Sequence, residues 1–127
     1  MKHGKKNNHL GRKKSHRKSI IMNLSKSLII NKRIFTTVAK GKVLKKFIDP
    51  VIAKLKKDTL HFRRIIFSKF QDKLIVKELF DVISKRIINR NSGYTRIIKL
   101  NNRKGDNSEM CLIELVDYNK FLIKNKK

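Results

Sequence analysis

Acid–base, nucleophilic and metal chemistry draw on carboxylates, histidines and cysteines, and this chain has nine, four and one of them. The acids are thinly spread, and the first is Asp49. A metal-dependent nuclease gathers several carboxylates around its ion, and no such cluster is readable. Neither a supported Ser-His-Asp or Cys-His set, nor H-E-x-x-H, nor a phosphate-cradling G-x-x-x-x-G-K-[ST] loop occurs. His3, His9 and His16 are the sharpest metal candidates, but no cysteine is near and their spacing is unlike that of usual ligand pairs. Catalysis therefore has no support, and the expectation is no cofactor, no metal and no small-molecule substrate.

What the chain has in quantity is cations: 34 Lys and Arg, for a formal net charge of +25. Residues 1–48 carry +15 without a single carboxylate, and the remainder adds +10. Like charge at this density repels itself and opposes a compact state until an anion neutralises it. The chemistry open to such cations is displacement of the counterions condensed on a polyanion, a favourable and salt-dependent process. Nucleic acid is the expected partner. A membrane-surface protein would set its cations opposite Trp or Phe on an interfacial helix, whereas the densest cations here share a segment with Gly and Asn, and Trp is absent. No apolar stretch approaches the ~18–20 residues of a membrane span, and the N-terminus lacks a signal-peptide core. Cys111, alone in an apolar run, allows no intrachain disulfide and reads as a small buried hydrophobe; a reducing, cytoplasmic setting fits.

Three zones must position these charges. Residues 1–14 show neither helical nor strand period and read as a basic extended tail that orders against phosphates and base edges. The next zone is helical. Ser15 is placed to cap a helix bearing Ile20, Ile21, Leu24, Leu28 and Ile29, and Arg33–Thr37 reads as a short β-branched strand. Thr37 is placed to cap a second helix with Leu44, Phe47, Ile48, Val51, Ile52 and Leu55 on one face. Pro50 falls inside it, so the helix kinks there or restarts with Asp49 as its cap; the unbroken apolar phase favours a kink. Asp58-Thr59 is placed to cap a helix with Phe62, Ile65, Ile66 and Phe70, and Asp72 to cap a fourth with Ile75, Leu79, Phe80, Ile83 and Ile87. The last zone alternates: Tyr94–Leu100 and Met110–Asp117 flank the turn-forming stretch 101–108, a hairpin with a basic tip and with Cys111, Ile113 and Leu115 on its core face. At 127 residues and 39% hydrophobic there is room for one domain, over 15–118, with a short basic tail at 119–127.

These residues resemble the bacterial large-subunit ribosomal proteins of family seventeen over nearly the whole length. The matching stretches are His3-Gly4-Lys5-Lys6, Leu10-Gly11-Arg12, Ser15-His16-Arg17, Ile34-Phe35-Thr36-Thr37 with Lys40 and Lys42, and Arg63-Arg64. Most diagnostic are Gly93-Tyr94-Thr95-Arg96-Ile97, Arg103-Lys104-Gly105-Asp106-Asn107 and Ile113-Glu114-Leu115-Val116-Asp117. The resemblance implies an α+β domain of about four helices on a small sheet. It implies a structural role on large-subunit (23S-type) rRNA near the peptide exit tunnel, beside neighbouring ribosomal proteins and with no membrane. Charge pattern and resemblance together give the candidate RNA contacts. In the tail these are Lys2, His3, Lys5, Lys6, Asn8, His9, Arg12, Lys13 and Lys14, followed by His16, Arg17 and Lys18 on the first helix. Arg33, Lys40, Lys42, Arg63, Arg64 and Arg96 follow in the domain, with Arg103 and Lys104 at the hairpin tip.

Three positions depart from the family pattern. Lys2 stands for Arg, which turns a forked phosphate contact into a point charge. Gly41 stands for Ala inside a helix, costing about 1 kcal/mol of propensity that rRNA packing would offset. Ser92 stands for the first of two glycines before Tyr94. A nucleoid-type DNA-binding protein would share the charge, but would need a dimerising element or a recognition helix, and neither is evident.

Overall fold

A computed structural model describes residues 3, 4 and 7–118. Lys2, Lys5, Lys6 and the basic tail 119–127 lie outside the described residues. Helix α1 (Lys14–Asn31) leads into β1 (Arg33–Thr37) and α2 (Val38–Ala53), which a 3-10 turn at Lys54–Lys56 extends. Helix α3 (Leu60–Phe70) follows. The fourth helix is three consecutive segments: α4 (Lys73–Lys77), a π-helical stretch (Glu78–Ile83) and α5 (Ser84–Ile87). Strands β2 (Thr95–Lys99) and β3 (Met110–Leu115) close the fold, ahead of a 3-10 turn at Val116–Tyr118. The class is α+β, with three antiparallel strands in the order β1-β3-β2.

The strand last in sequence is thus the middle of the sheet. Ile34 and Ile97 both pair with Ile113, and Thr36 and Lys99 with Cys111. Cys111, Ile113 and Leu115 point inward, as their alternation predicts, onto a core built from Leu28, Leu44, Ile48, Ile52, Ile66, Phe70 and the Ile75–Leu79–Ile83–Ile87 row. The outer face is unusual. It carries a row of Phe35, Leu112 and Ile98 with Phe35 70% exposed, beside a row of Arg33, Glu114 and Arg96.

Local chemistry departs from the sequence expectation at the caps. α1 begins at Lys14, one residue before Ser15, and no side chain caps it. Arg17 N–H donates back to Lys13 O, and Arg12 N–H to His9 O at 3.0 Å, so the chain turns into the helix through Leu10 and Gly11, both at positive φ. Ile20 and Ile21 are only half-buried and stay out of the core, whereas Met22 and Leu24 pack against it. Thr37 holds the cap position of α2 but makes no side-chain bond; Val38 N–H donates to Glu109 O instead. Helix α2 runs through Pro50, and Asp49 caps nothing: it accepts a 2.7 Å hydrogen bond from the Thr95 hydroxyl. At α3 the cap is Thr59, whose Oγ1 accepts from Phe62 N–H, while Asp58 is taken by Arg63. Asp72 caps α4 as expected, accepting from Leu74 and Ile75 N–H. Burial works against its charge, yet those N–H groups and Lys26 together hold its carboxyl below the ordinary value.

Gly41 has an internal explanation. It is buried, and a Cβ there would stand 2.8 Å from Cys111 Sγ, itself fully buried. The offset that the sequence assigned to rRNA packing is supplied by this helix–sheet contact. The Ser92 departure also resolves, because the positive φ of its turn falls on Gly93 and not on Ser92.

Overpacking in a filled core costs about 1–3 kcal/mol, more than the roughly 1 kcal/mol Ala gains over Gly in a helix. Gly41→Ala is therefore expected to lower stability in the native sequence and to raise it in a Cys111→Ala background. Urea midpoints of the four chains measure both signs; equal effects in the two backgrounds would sink the account.

Candidate nucleic-acid interface

The geometry of the charged residues starts with the acids, because an acid paired within the protein takes its cation out of the surface pool. Among the described residues, seven of the nine stand within ion-pair distance of a cation. Asp72 meets Lys26, and Glu78 meets Lys32. Asp58 and, at 3.9 Å, Asp81 meet Arg63. Asp117 meets Arg90, Glu114 meets Arg96, and Asp106 meets Arg103. Three sequence-named arginines are consequently engaged within the protein. Arg63 forks onto Asp58 at 2.6 and 2.7 Å and lies 4.6 Å over the Phe80 ring. These bonds push its own pKa up and that of Asp58 down. Arg96 holds nearly buried Glu114 across the sheet.

Arg103 is the clasp of the hairpin tip. Its guanidinium forks onto Asp106 at 3.1 and 2.5 Å, its N–H donates to Ser108 O, and its carbonyl accepts from Asn107 N–H. The Ser108 hydroxyl and N–H complete the shell around Asp106. Arg103, and then these two donors, hold the Asp106 carboxyl well below the usual carboxylate range. Next to it, Lys104 is exposed. On the structure, Lys104 is the cation free to leave the tip without cost to the loop, and Arg103 is the one that shapes it.

The remaining candidates are presented outward. His3, Asn8, His9, Arg12 and Lys13 are exposed ahead of α1; Lys14, His16 and Lys18 are exposed on its first turns, with Arg17 half-buried. Arg33 and Lys42 are exposed, Lys40 is half-buried, and Arg64 is exposed beside engaged Arg63. Among these, Asn8, Arg17 and Lys42 come together at a cleft of about 890 Å³ between the N-terminal segment, α1, α2 and β2. Its floor is apolar, from Ile21, Val43, Phe47, Pro50 and Ile97. Lys45 and Lys46, which the sequence reading did not single out, line it as well. A second stretch of about 420 Å³ shares Arg17, Ile21 and Phe47 and adds Lys14, Lys18 and Lys69. Lys45 and Lys46 are adjacent in the sequence, so one signal existed; Lys69 gave none, because only tertiary packing brings α3 alongside. Arg103 and Lys104 line neither stretch.

Among the described residues, no group of three His, Cys, Asp or Glu is placed to hold a metal and no helix is long and apolar enough to cross a membrane. Fold and surface define a small, strongly basic α+β protein whose carboxylates are largely spent on its own arginines and lysines. The pattern of ribosomal protein L17 matches residues 20–116. The chain is 59% identical over 124 residues to the large ribosomal subunit protein bL17 of Amoebophilus asiaticus, covering 98% of this chain and 64% of that protein. It is 60% identical over 126 residues to that of Bacteroides fragilis, covering 99% and 78%, and 54% identical over 123 residues to that of Porphyromonas gingivalis, covering 97% and 77%. This chain belongs to the ribosomal protein L17 family, and is a ribosomal component rather than an enzyme. It spans a little under two-thirds of the Amoebophilus relative and more than three-quarters of the other two.

The clasp gives a pH prediction with a definite sign. A carboxyl whose folded pKa is depressed contributes stability above its unfolded value, about 3.9 for Asp, and loses it as pH falls through the folded value. The tip is therefore expected to keep its structure through the ordinary carboxylate range and to open only below it. Following the Asp106 carboxyl carbon by NMR should give a midpoint below that of an unpaired Asp, and Arg103→Ala should return it upward. An unshifted midpoint in the native chain would refute the clasp.

Proposed function

We propose that this protein is a structural constituent of the large ribosomal subunit that binds and stabilises folded 23S-type rRNA, working on the ribosome in the cytoplasm. The observation that carries the reading is the disposition of charge: the few acids are turned onto internal partners, and the outward-facing cations of the N-terminal segment, α1 and α2 are left for phosphates. Membership of the family supplies the ribosome as the setting. A position near the peptide exit tunnel, among neighbouring large-subunit proteins, rests on the same resemblance. In this reading residues 1–14 are an RNA-binding extension, 15–118 the platform, and 119–127 a short basic tail. RNA helices hide their base edges in a deep major groove, so recognition rests on backbone geometry, 2′-hydroxyls and splayed loop bases. Nothing turns over; the work is neutralisation of crowded phosphates where RNA segments meet.

Two measurements test this. If about ten phosphates are neutralised, the logarithm of the association constant for rRNA should fall with log salt at a slope of about −7 to −9. A slope shallower than about −3, or an equal preference for duplex DNA at matched salt, would count against an rRNA protein. Deleting residues 1–14 is expected to leave thermal unfolding nearly unchanged while reducing occupancy in sedimented large subunits. Normal occupancy of the truncated chain would remove the tail from the interface.

A further inference from the structure

We propose that the groove between α1 and α2 is a seat for single-stranded RNA, its bases lying on the apolar floor and its backbone following the basic rim. The inference rests on the rRNA-binding reading and adds the form of RNA and the place. Its two stretches adjoin through shared Arg17, Ile21 and Phe47, so they form one channel from β2 to α3. The rim supplies Lys14, Arg17 and Lys18 from one side and Lys42, Lys45 and Lys46 from the other, with Lys69 at the far end.

Three features select unpaired bases. A duplex would set phosphates on the rim and leave the floor facing empty space, because its bases are stacked within it. Unstacked bases fill such a floor, since every base has an apolar π-face and stacks on aromatic and aliphatic side chains regardless of sequence. Phe47 is the ring in position: it lies along both stretches, half-buried, braced edge-on by Phe70 at 6.2 Å and approached by Lys69 Nζ at 5.7 Å. The third feature is Asp49, the groove's lone carboxylate, with one oxygen bonded to Thr95. A carboxylate repels phosphate and accepts from base N–H groups, which marks its part of the groove for a base edge. Asn7 and Asn8 add amide groups on the same stretch. Ile21 also finds a reason here, for this residue of α1, which stays out of the core, walls both stretches of the channel.

The test uses the full chain and an oligouridylate carrying 4-thiouridine. A duplex RNA of equal length and a folded fragment of large-subunit rRNA are measured at the same salt. Photo-adducts are expected on peptides around residues 17–22 and 42–50, with the single strand bound more tightly than the duplex. Phe47→Leu, which keeps charge and most of the packing, should lower the ratio of single-strand to duplex affinity at least about fivefold. Should that variant fail to fold, the pair Lys45→Ala and Lys46→Ala reads the same site from its rim, by loss of the α2 adducts with the circular dichroism unchanged. Adducts confined to the N-terminal segment or hairpin tip, or an unchanged ratio, overturn the inference and leave the groove to an acidic protein segment. If folded rRNA still binds in that case, the rRNA reading stands; if no RNA binds at all, both fall.

Discussion

The organising constraint of this molecule is that it must fold with nine acids against 34 cations. Coulomb repulsion among surface lysines is softened by water and salt, but near the core it is not, and three of the acids stand there. Glu114 lies nearly buried beneath Arg96, Asp117 faces Arg90 beside the end of β3, and Glu78 anchors Lys32 at the turn between α1 and β1. Each joins segments distant in sequence, so the acids act as fasteners between elements. Surface ion pairs contribute little individually; what these achieve is placement, because they decide which cations are held and which stay available. Arg86 and Lys32 lie over the Tyr118 ring, at 4.5 and 5.3 Å, so an aromatic face takes up positive charge in addition to the Glu78 carboxylate that Lys32 meets.

Hydrophobic spacing made the helices and strands legible, since burial of periodic Ile and Leu dominates at this scale. The row Ile75, Leu79, Ile83 and Ile87 is buried throughout, and the inward alternation of β3 is as read. What escaped was set by tertiary contact. Ser15 is a good cap by type, but the chain enters α1 two residues earlier, with Lys13 at the cap position, through a turn at Leu10 and Gly11. The π-helical stretch at Glu78–Ile83 leaves the same residues inside as an α-helix would, so its period is invisible in sequence. Phe35 looks like a core residue by type and alternation only says that it opposes Thr36; which side faces water depended on how the sheet sits on α2.

The interface divided in the same way. That cations crowd α1 and the segment before it was plain from composition. That Arg63, Arg96 and Arg103 hold acids was not, because Arg63 reaches Asp81 and Arg96 reaches Glu114 only once helices and strands have assembled. Two local pairs are the exception: Arg63 with Asp58, five residues apart at the start of α3, and Arg103 with Asp106, an i,i+3 pair within one loop, where the motif that marked the family also contained its own ion pair.

The sheet order also governs how the protein comes into being. β3, the last strand made, is the one both others need: residue 34 pairs with residue 113, and Lys32 O waits for Leu115 N–H. Local helices form quickly, but pairings that close long loops are slow. A growing chain therefore carries β1 and β2 as two unpaired edges and a core missing Ile113 and Leu115 until nearly all of the described domain has emerged. Unpaired edges are templates for wrong partners, and dense positive charge is one natural means of keeping such chains apart. The excess that makes the finished protein hungry for phosphate thus also guards the unfinished one, and a chain cut short before residue 110 would lose the middle of its sheet instead of its rim.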